Sequence, residues 1–496
     1  MRRILTLIAL FAGLYSARAN NISITGITVT GSDVTFSLSW DNSWNTTNNI
    51  NPLYPNNYDG VWLFVKYQNN IDNLWKHAKL SNVAADHSVF GGGATLQIET
   101  VTDSMGVFVR RTSAGSGNIS NASVTLKMGP QIGSGQFNIK VFGTEMVYVP
   151  QDTFQLGDGN TVAGYFTPLT IDATKENSTV ASGQLYLSPA ASPAVPAAFP
   201  LGYNAFWCMK YEISSEQWAD FLNTLNYDQQ AARIDVAPNS AAGTDALSSF
   251  NVGGIIEIDT PGLNNTSPAH FACDFTNDGA YNQINDGQNI PVTGISKGDL
   301  FAFLDWAGLR PMTETEYEKA ARGKRPRVLN EYAWGSASVT AYQRAQLSNG
   351  GTATENLAVA VVNGRMIANS VNVTAQFTGP GRSGLFATGT TGREASGAGF
   401  WGIMELSGNV WEMAVEISSA GVSYTGNHGD GTLTIAGAAD VVAWPSSTLN
   451  TGSTGTHARG GDYYSGPGNA ALSVRGGSIL AGRSISYGGR GIRSAP

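Results

Sequence analysis

The sequence predicts an α+β fold in which an all-strand N-terminal part, residues 20–136, precedes a mixed C-terminal part, residues 137–496. Two observations carry this prediction. Apolar residues alternate with polar ones through the first part, as they do in half-buried strands. Helix start signals occur only in the second part, where apolar residues follow them at helical spacing.

The N-terminal part contains short runs with strand character, separated by turns rich in Gly and Asn. They are the alternation at Val34, Phe36, Leu38 and Trp40 and the runs Val61–Tyr67, Ala94–Val101, Val107–Arg111 and Ala122–Met128. Strands at this spacing predict a β-sandwich. The aromatic residues Trp44, Tyr54 and Tyr58 are candidates for a sugar-stacking platform, although packing within the fold is the commoner role of such residues.

The C-terminal part is predicted to contain three helices. Capping boxes open them at Ser214 with Gln217, at Ser296 with Asp299 and at Thr313 with Glu316, and Gly323 ends the third. Two long segments rich in Gly, Ser, Thr and Asn, residues 232–289 and 349–398, are predicted as loops that must be tied down or functional.

The stretch from Gly129 to Asn138 has the Gly, Pro and polar character of a linker. We therefore expect the two parts to be separable domains that join there. The alternative is that Phe137 to Val141 forms a strand that pairs with the C-terminal part, which would shift the boundary.

The N-terminus has the features of a secretory signal peptide over residues 1–19. These are Arg2 and Arg3, an apolar run from Ile4 to Leu14, and the small-residue sequence Ala17-Arg18-Ala19. We therefore expect an exported protein, secreted, periplasmic or at the cell surface. No later run reaches about 18 apolar residues, so no transmembrane segment is predicted. A formal net charge of -8 argues against a nucleic-acid partner, because phosphate binding needs a basic face.

Six stretches, in a fixed order, carry a family resemblance. They are EMVYVP at 145–150, KYEISSEQW at 210–218, WAGLRPMTETEYEKAARG at 306–323, GIMELSGNVWE at 402–412, RGG at 459–461 and GRGIR at 489–493. Together they resemble the formylglycine-generating enzyme family, also called sulfatase-modifying factors. The resemblance implies that residues 137–496 adopt a variant of the C-type lectin fold with little regular secondary structure, which accounts for the long loops.

Enzymes of that family bind copper through two cysteines that follow the RGG segment, and they oxidise a substrate cysteine to formylglycine. Thiolates are needed because soft sulfur ligands select Cu(I). The matching positions here, counted from Arg459, are Ser465 and Ala470. Neither side chain replaces a thiolate, so the resemblance implies neither formylglycine-generating activity nor bound copper. Cys208 and Cys273 lie far upstream and are expected to form a disulfide or to remain a buried free pair.

A second enzymatic branch of the same fold, the sulfoxide synthases, binds iron through histidines supplied largely by a separate helical domain. The five histidines of this chain are His77, His87, His270, His428 and His457. They contain no pair at helical i, i+4 spacing, so no iron is expected.

The resemblance also implies a structural calcium ion at the GNVWE sequence. The family's ligands map onto the side chains of Glu405 and Glu412 and onto the carbonyl oxygens of Gly408 and Val410. Carboxylates mixed with backbone carbonyls are ligands that calcium prefers. Glu405 stands where Asp or Asn is expected. The alternative is that both glutamates are ordinary polar residues at a turn.

Arg310 and Arg322 are predicted to have a structural role, bonding the carbonyls of irregular loops or pairing with Glu314, Glu316 and Glu318, since each guanidinium offers five planar donors. His428 and Asp430 are candidate metal ligands in a Gly-rich turn, which turn geometry explains equally well.

These observations predict an exported, non-catalytic pseudoenzyme whose partner is a protein or a carbohydrate ligand at the cell surface. Two alternatives stay open. One is an oxygen- and metal-dependent oxidase of the formylglycine-generating type or a diverged relative. The other is a retroelement-diversified ligand-binding protein, because the segment from Asp462 to Tyr487 carries the Tyr, Ser and Asn of adaptable binding loops.

Overall fold

The structure is a computed structural model that describes residues 21–48, 51, 55–69, 72–129, 137–187, 190–247, 254–352, 354–369, 379–445, 454–475 and 482–496. The predicted signal peptide, Tyr54 and most of the predicted linker lie outside these ranges.

Strands are the main regular structure of the described residues. They are β1 Ser23–Thr30, β2 Asp33–Asn45, β3 Asp59–Asn69, β4 Trp75–Ala78, β5 Ser88–Gly92, β6 Leu96–Thr100, β7 Val107–Arg111, β8 Gly115–Lys127, β9 Phe137–Val149, β10 Phe154–Leu156, β11 Leu169–Ile171, β12 Phe206–Met209, β13 Thr244–Asp245, β14 Ile256–Thr260, β15 His270–Cys273, β16 Thr340–Tyr342, β17 Arg365–Ile367, β18 Trp411–Val415, β19 Thr456–Arg459, β20 Tyr487–Gly488 and β21 Ile492–Ser494. The α-helices are α1 Ala173–Glu176, α2 Ser215–Leu222, α3 Tyr227–Arg233, α4 Lys297–Trp306, α5 Glu314–Arg322 and α6 Arg393–Ser396. The chain is thus mostly sheet with few helices.

Two sheets line one apolar core in the N-terminal part. One sheet has the strand order β1-β2-β8-β5, and the other contains β3, β7 and β6, with β4 beside β3. Every second residue of β2 is buried from Val34 to Trp40, and these side chains share the core with Val61, Leu63 and Val65 of β3. The strands predicted from the period-two pattern are present, because that pattern places apolar side chains on one face.

Strand β9 carries the second sheet across the predicted domain boundary at residue 136. It pairs with all 11 residues of β3, and its end also pairs with β12, so that the complete order is β21-β12-β9-β3-β7-β6. Phe137 to Val141 therefore pairs with the N-terminal part. Trp62 of β3 is fully buried, and its Nε1 donates to the Ala307 carbonyl at 2.9 Å. The two parts therefore share one sheet, and its other face, with Trp62, Phe64 and Phe108, packs into the core of the C-terminal part.

All three predicted helices are confirmed with their capping boxes, which open α2, α4 and α5. Helix α5 ends at Gly323, where φ is +63° and an added Cβ would lie 2.2 Å from the Phe400 ring. The sequence analysis missed α3, although Asn226 and Gln229 form a capping box there too. The helix buries only Gln230 and Arg233, so it has no apolar stripe to reveal it.

The segments predicted as long loops contain short strands. Strands β13, β14 and β15 form a sheet within residues 232–289, and β17 and α6 lie within residues 349–398. Strands this short show no reliable periodicity of apolar residues in the sequence. Their formation depends on pairing with neighbouring strands. In the described part of the chain, no helix has the length and apolar character needed to cross a membrane.

Candidate functional site

The predicted calcium ligands lie on the turn that leads into β18 and, for Glu412, in the strand itself. This strand pairs with β19 on one side and with β20 on the other. Two residues of the turn have left-handed backbone, Glu405 with φ of 54° and Asn409 with φ of 69°. The Asn409 side chain donates to Glu212 at 2.6 Å and accepts from the Gly381 amide at 2.9 Å. Non-glycine residues in this region are costly and occur where surrounding contacts fix them.

Glu405 has one carboxylate oxygen engaged and one free. Oε1 accepts from the Gly384 amide at 2.8 Å, whereas Oε2 is buried and has no hydrogen-bond partner among the described residues. The carboxylate borders a cavity of about 10 Å³ that Arg365 and Arg382 also line. Burial raises the pKa of Glu405 to about 7. This cavity has the size of a single water molecule.

Glu412 is held by an arginine that the sequence analysis did not single out. Arg490 Nε lies 2.9 Å from both Glu412 oxygens, and its Nη2 lies 2.7 Å from Oε1. The same guanidinium donates to the carbonyls of Met209 and Lys210 at 3.1 Å and to that of Met404 at 2.8 Å. Both side chains are buried. Arg490 thus bonds one carboxylate and three backbone carbonyls. Calcium ions in proteins are bound by oxygen atoms of the same kinds.

The residues as placed do not fit calcium at the predicted position. The free oxygen of Glu405 suits a cation, but the charge of Glu412 is already balanced by Arg490. A divalent ion beside a buried guanidinium adds repulsion in a region of low dielectric constant. The sequence analysis noted the GRGIR sequence that contains Arg490. It could not assign the partner of this arginine, because Glu412 lies 78 residues away in the chain.

The positions that match the copper-binding cysteines lie in one loop after β19. Ser465 donates its amide to Asp462 at 2.6 Å, and its carbonyl accepts from the Asn369 amide at 2.9 Å. Ala470 ends a single 3₁₀ turn, is buried, and accepts a bond from Ser407 Oγ at 2.8 Å through its carbonyl. A hydroxyl and a methyl group offer no soft ligand, so the residues present do not fit a copper ion.

The two cysteines lie in different cores and are not disulfide-bonded. Cys208 belongs to β12 and Cys273 to β15, and both thiols are free and buried. Burial raises the pKa of Cys208 to about 12 and that of Cys273 well above its usual range. Of the two predicted alternatives, the structure has the buried free pair. With the pKa raised in both cases, neither thiol supplies a thiolate at neutral pH.

The arginine and glutamate residues of α5 and its flanks form a buried ion-pair network. Arg310 donates to both oxygens of Glu316 at 3.0 and 2.7 Å, and Arg322 pairs with Glu318 at 2.9 Å. Arg459 of the RGG sequence bonds Glu318 at 3.0 Å and Glu314 at 3.2 Å. The predicted structural role of Arg310 and Arg322 is therefore confirmed. The network ties α5 to β19 and fixes the loops around them.

His428 and Asp430 do not converge on one site. His428 accepts from the Ser494 amide at 3.0 Å and lies 3.5 Å from Asp103, and burial lowers its pKa to about 4. Asp430 instead lies with Asp305 and Asp440, with carboxylate oxygens within 4.8 Å of one another.

The described aromatic candidates have different surroundings. Tyr58 stacks on Tyr148 at 4.6 Å with its ring close to parallel, and Arg110 lies 4.3 Å from its centroid, so it packs within the fold. Trp44 lines a cleft and has Lys210 Nζ 4.7 Å from its ring centroid.

The chain belongs to the sulfatase-modifying factor family: the model of the sulfatase-modifying factor enzyme 1-like domain matches residues 144–495. Among named relatives, the formylglycine-generating enzyme of Thermomonospora curvata is 26% identical over 221 residues, which are 44% of this chain and 61% of that protein. The formylglycine-generating enzyme of Mycobacterium tuberculosis is 26% identical over 216 residues, 42% of this chain and 62% of that protein. The chain thus spans less than two thirds of the length of these relatives.

Two solved structures are similar over most of their own length. PvdO from Pseudomonas aeruginosa is 15% identical and the match covers 71% of this chain and 95% of PvdO, with a TM-score of 0.33. Variable protein 1 of Treponema denticola is 12% identical, with 71% and 96% covered and a TM-score of 0.29.

Proposed function

We propose that this member of the family is an exported, non-catalytic binding or scaffold protein, in which an N-terminal β-sandwich is fused to the sulfatase-modifying-factor-like domain. The observation that carries the proposal is the pair Ser465 and Ala470 at the positions of the copper-binding cysteines. In the family, cysteine thiolates and the copper ion that they bind lower the activation free energy of the oxidation. This chain has no thiolate at the two matching positions. Export rests on the signal-peptide features of residues 1–19.

The remaining thiols do not supply a substitute. Cys208 and Cys273 are buried in separate cores, and their raised pKa values keep them protonated at neutral pH. Calcium at Glu405, Gly408, Val410 and Glu412 stays a prediction that the placement of Arg490 disfavours. The alternative of an oxidase would need ligands other than those two positions.

The test is an activity assay with its own gain-of-ligand control. The whole protein is incubated with Cu(I), oxygen and a sulfatase-type cysteine peptide, and the aldehyde is measured by mass spectrometry. We expect no aldehyde and no stoichiometric copper. The double variant Ser465→Cys/Ala470→Cys is expected to bind copper. That result would show that copper binding is absent from the unmodified chain because of the residues at these two positions. Aldehyde formation by the unmodified chain, or stoichiometric copper or iron in it, would overturn the proposal.

A further inference from the structure

A cleft of about 540 Å³ lies where the N-terminal part meets the family domain. Asn42, Trp44 and Thr46 of the first part line one side, and Lys210, Tyr211 and Phe400 are among the residues that line the other. Its volume is within the range of about 300 to 1,000 Å³ that small-molecule sites occupy. Neither Ser465 nor Ala470 lines it, nor do the predicted calcium ligands.

Aromatic side chains line the cleft, and contacts with their neighbours hold them in place. Trp44 is held by its backbone amide, which donates to Asp59 at 2.8 Å, and its indole contacts Gly402 closely enough that an added Cβ would lie 3.1 Å away. Lys210 Nζ lies 4.7 Å from the Trp44 ring centroid and 5.3 Å from that of Tyr211. Lys210 is also ion-paired with buried Glu145, so its charge is already balanced. Held aromatic rings of this kind offer a flat apolar surface at a low entropic cost.

Among the described residues, the charged side chains that line the cleft are all basic, namely Lys210, Arg325 and Arg393, in a chain whose net charge is -8. Arg393 donates to the carbonyls of Ala321 at 3.2 Å and Ala333 at 2.8 Å. Its guanidinium lies 5.4 Å from the Phe400 ring centroid.

Arg325 is half-buried, and within the described residues it has no hydrogen-bond or ion-pair partner. It lies close enough to Arg393 for its positive charge to add to the effect of burial, which lowers the pKa of Arg393 to about 10. The carboxylates of Glu331 and Glu394 also act on Arg393, but Glu331 bonds Arg322, and Glu394 accepts from Ser336 and Asn363. Among the described residues Arg325 therefore has no carboxylate partner, and a bound anion would supply one. The planar fork of an arginine suits a carboxylate in particular.

We infer that this cleft binds a small ligand that carries a carboxylate and a ring with an apolar face, with Trp44 against the ring and Arg325 on the carboxylate. The inference rests on the proposed function as a binding protein and names the class of ligand. Acidic sugars and aromatic acids share this chemistry. The N-terminal part then has a defined role, because it supplies Trp44 to a site that the family domain lacks by itself.

The test measures binding of four probes to the whole chain by saturation-transfer NMR and tryptophan fluorescence titration. Glucuronate and benzoate carry both features, whereas glucose and benzyl alcohol carry the ring without the carboxylate. We expect one of the acids to bind, and its neutral counterpart to bind at least about tenfold more weakly, since a charge-assisted hydrogen bond is lost. Binding of glucuronate would indicate an acidic sugar as the ligand, and binding of benzoate would indicate an aromatic acid.

Matched variants separate the site from general effects of charge and stability. Arg325→Gln and Trp44→Ala are each expected to weaken the binding acid about tenfold or more. The controls are Lys324→Gln, which removes a neighbouring exposed charge, and Trp75→Ala, which removes an aromatic residue outside the cleft; both should bind as the unmodified chain does. Variants are compared only where their melting curves show a folded protein.

Three results would overturn the inference: neither acid binds, the neutral probes bind as tightly as the acids, or Arg325→Gln behaves as Lys324→Gln does. The proposed function fails by a different route, through aldehyde formation or stoichiometric copper or iron.

Discussion

Replacement of Arg490 is expected to destabilise the family domain strongly. It is buried, it bonds both oxygens of Glu412, and it donates to three backbone carbonyls. Removing one partner of a buried ion pair costs about 3 to 5 kcal/mol, because the remaining charge stays buried without compensation. The three carbonyls also lose a donor, which places Arg490→Met at the upper end of that range.

The assay is equilibrium denaturation in guanidinium chloride, followed by tryptophan fluorescence. Arg490→Lys keeps the positive charge but loses the planar fork, so an intermediate loss of unfolding free energy is expected. The double variant Arg490→Met/Glu412→Met removes both charges and is expected to recover part of the loss, since two apolar side chains of similar volume replace the pair.

The same set of proteins tests whether Arg490 takes the place of calcium. The melting temperature of the unmodified chain is expected to be the same with calcium and with a chelator, because a ligand that does not bind the native state does not stabilise it. A lower melting temperature in chelator would refute this reasoning, as would an Arg490→Met variant that loses less than about 1 kcal/mol.

Three further predictions follow from buried groups and close contacts. Burial raises the pKa of Asp59 from 3.8 to about 7. The native state therefore keeps a proton that the unfolded state has released, so this group lowers stability as pH rises between those values. Asp59→Asn should remove this part of the pH dependence of the denaturation midpoint, and an unchanged slope would contradict the assignment. Gly323→Ala and Gly26→Ala place a Cβ at almost equal φ, +63° and +66°, but of these two positions only Gly323 is crowded by neighbouring atoms. In thermal unfolding, Gly323→Ala is expected to lose about 1 to 3 kcal/mol more stability than Gly26→Ala. Equal losses would show that the neighbouring Phe400 ring moves aside. When residues 20–136 and 137–496 are expressed separately, at least one fragment is expected to be insoluble or molten, because β3 loses all 11 residues of its pairing with β9. Solubility and near-UV circular dichroism measure this, and two well-folded fragments would support the separable-domain prediction instead.

The sequence predicted those features of the fold that depend on neighbours in the chain. The capping boxes at Ser214, Ser296 and Thr313 each join residues three positions apart, so the start of each helix was readable. The alternation in β2 places its apolar side chains on one face wherever the strand lies. The ion pairs of Arg310 with Glu316 and of Arg322 with Glu318 were predictable for the same reason.

The prediction that Ser465 and Ala470 stand at the positions of the family's cysteine pair also needed the sequence alone, since it rests on their distance from the RGG segment. The tertiary structure decided what the sequence left open. It placed Arg490 on Glu412, kept Cys208 and Cys273 in separate cores, and continued one sheet from β3 through β9 to β12. It also brought Trp44 to Lys210 in one cleft. These contacts join residues far apart in the chain, and local propensity carries no information about which distant segments pack together.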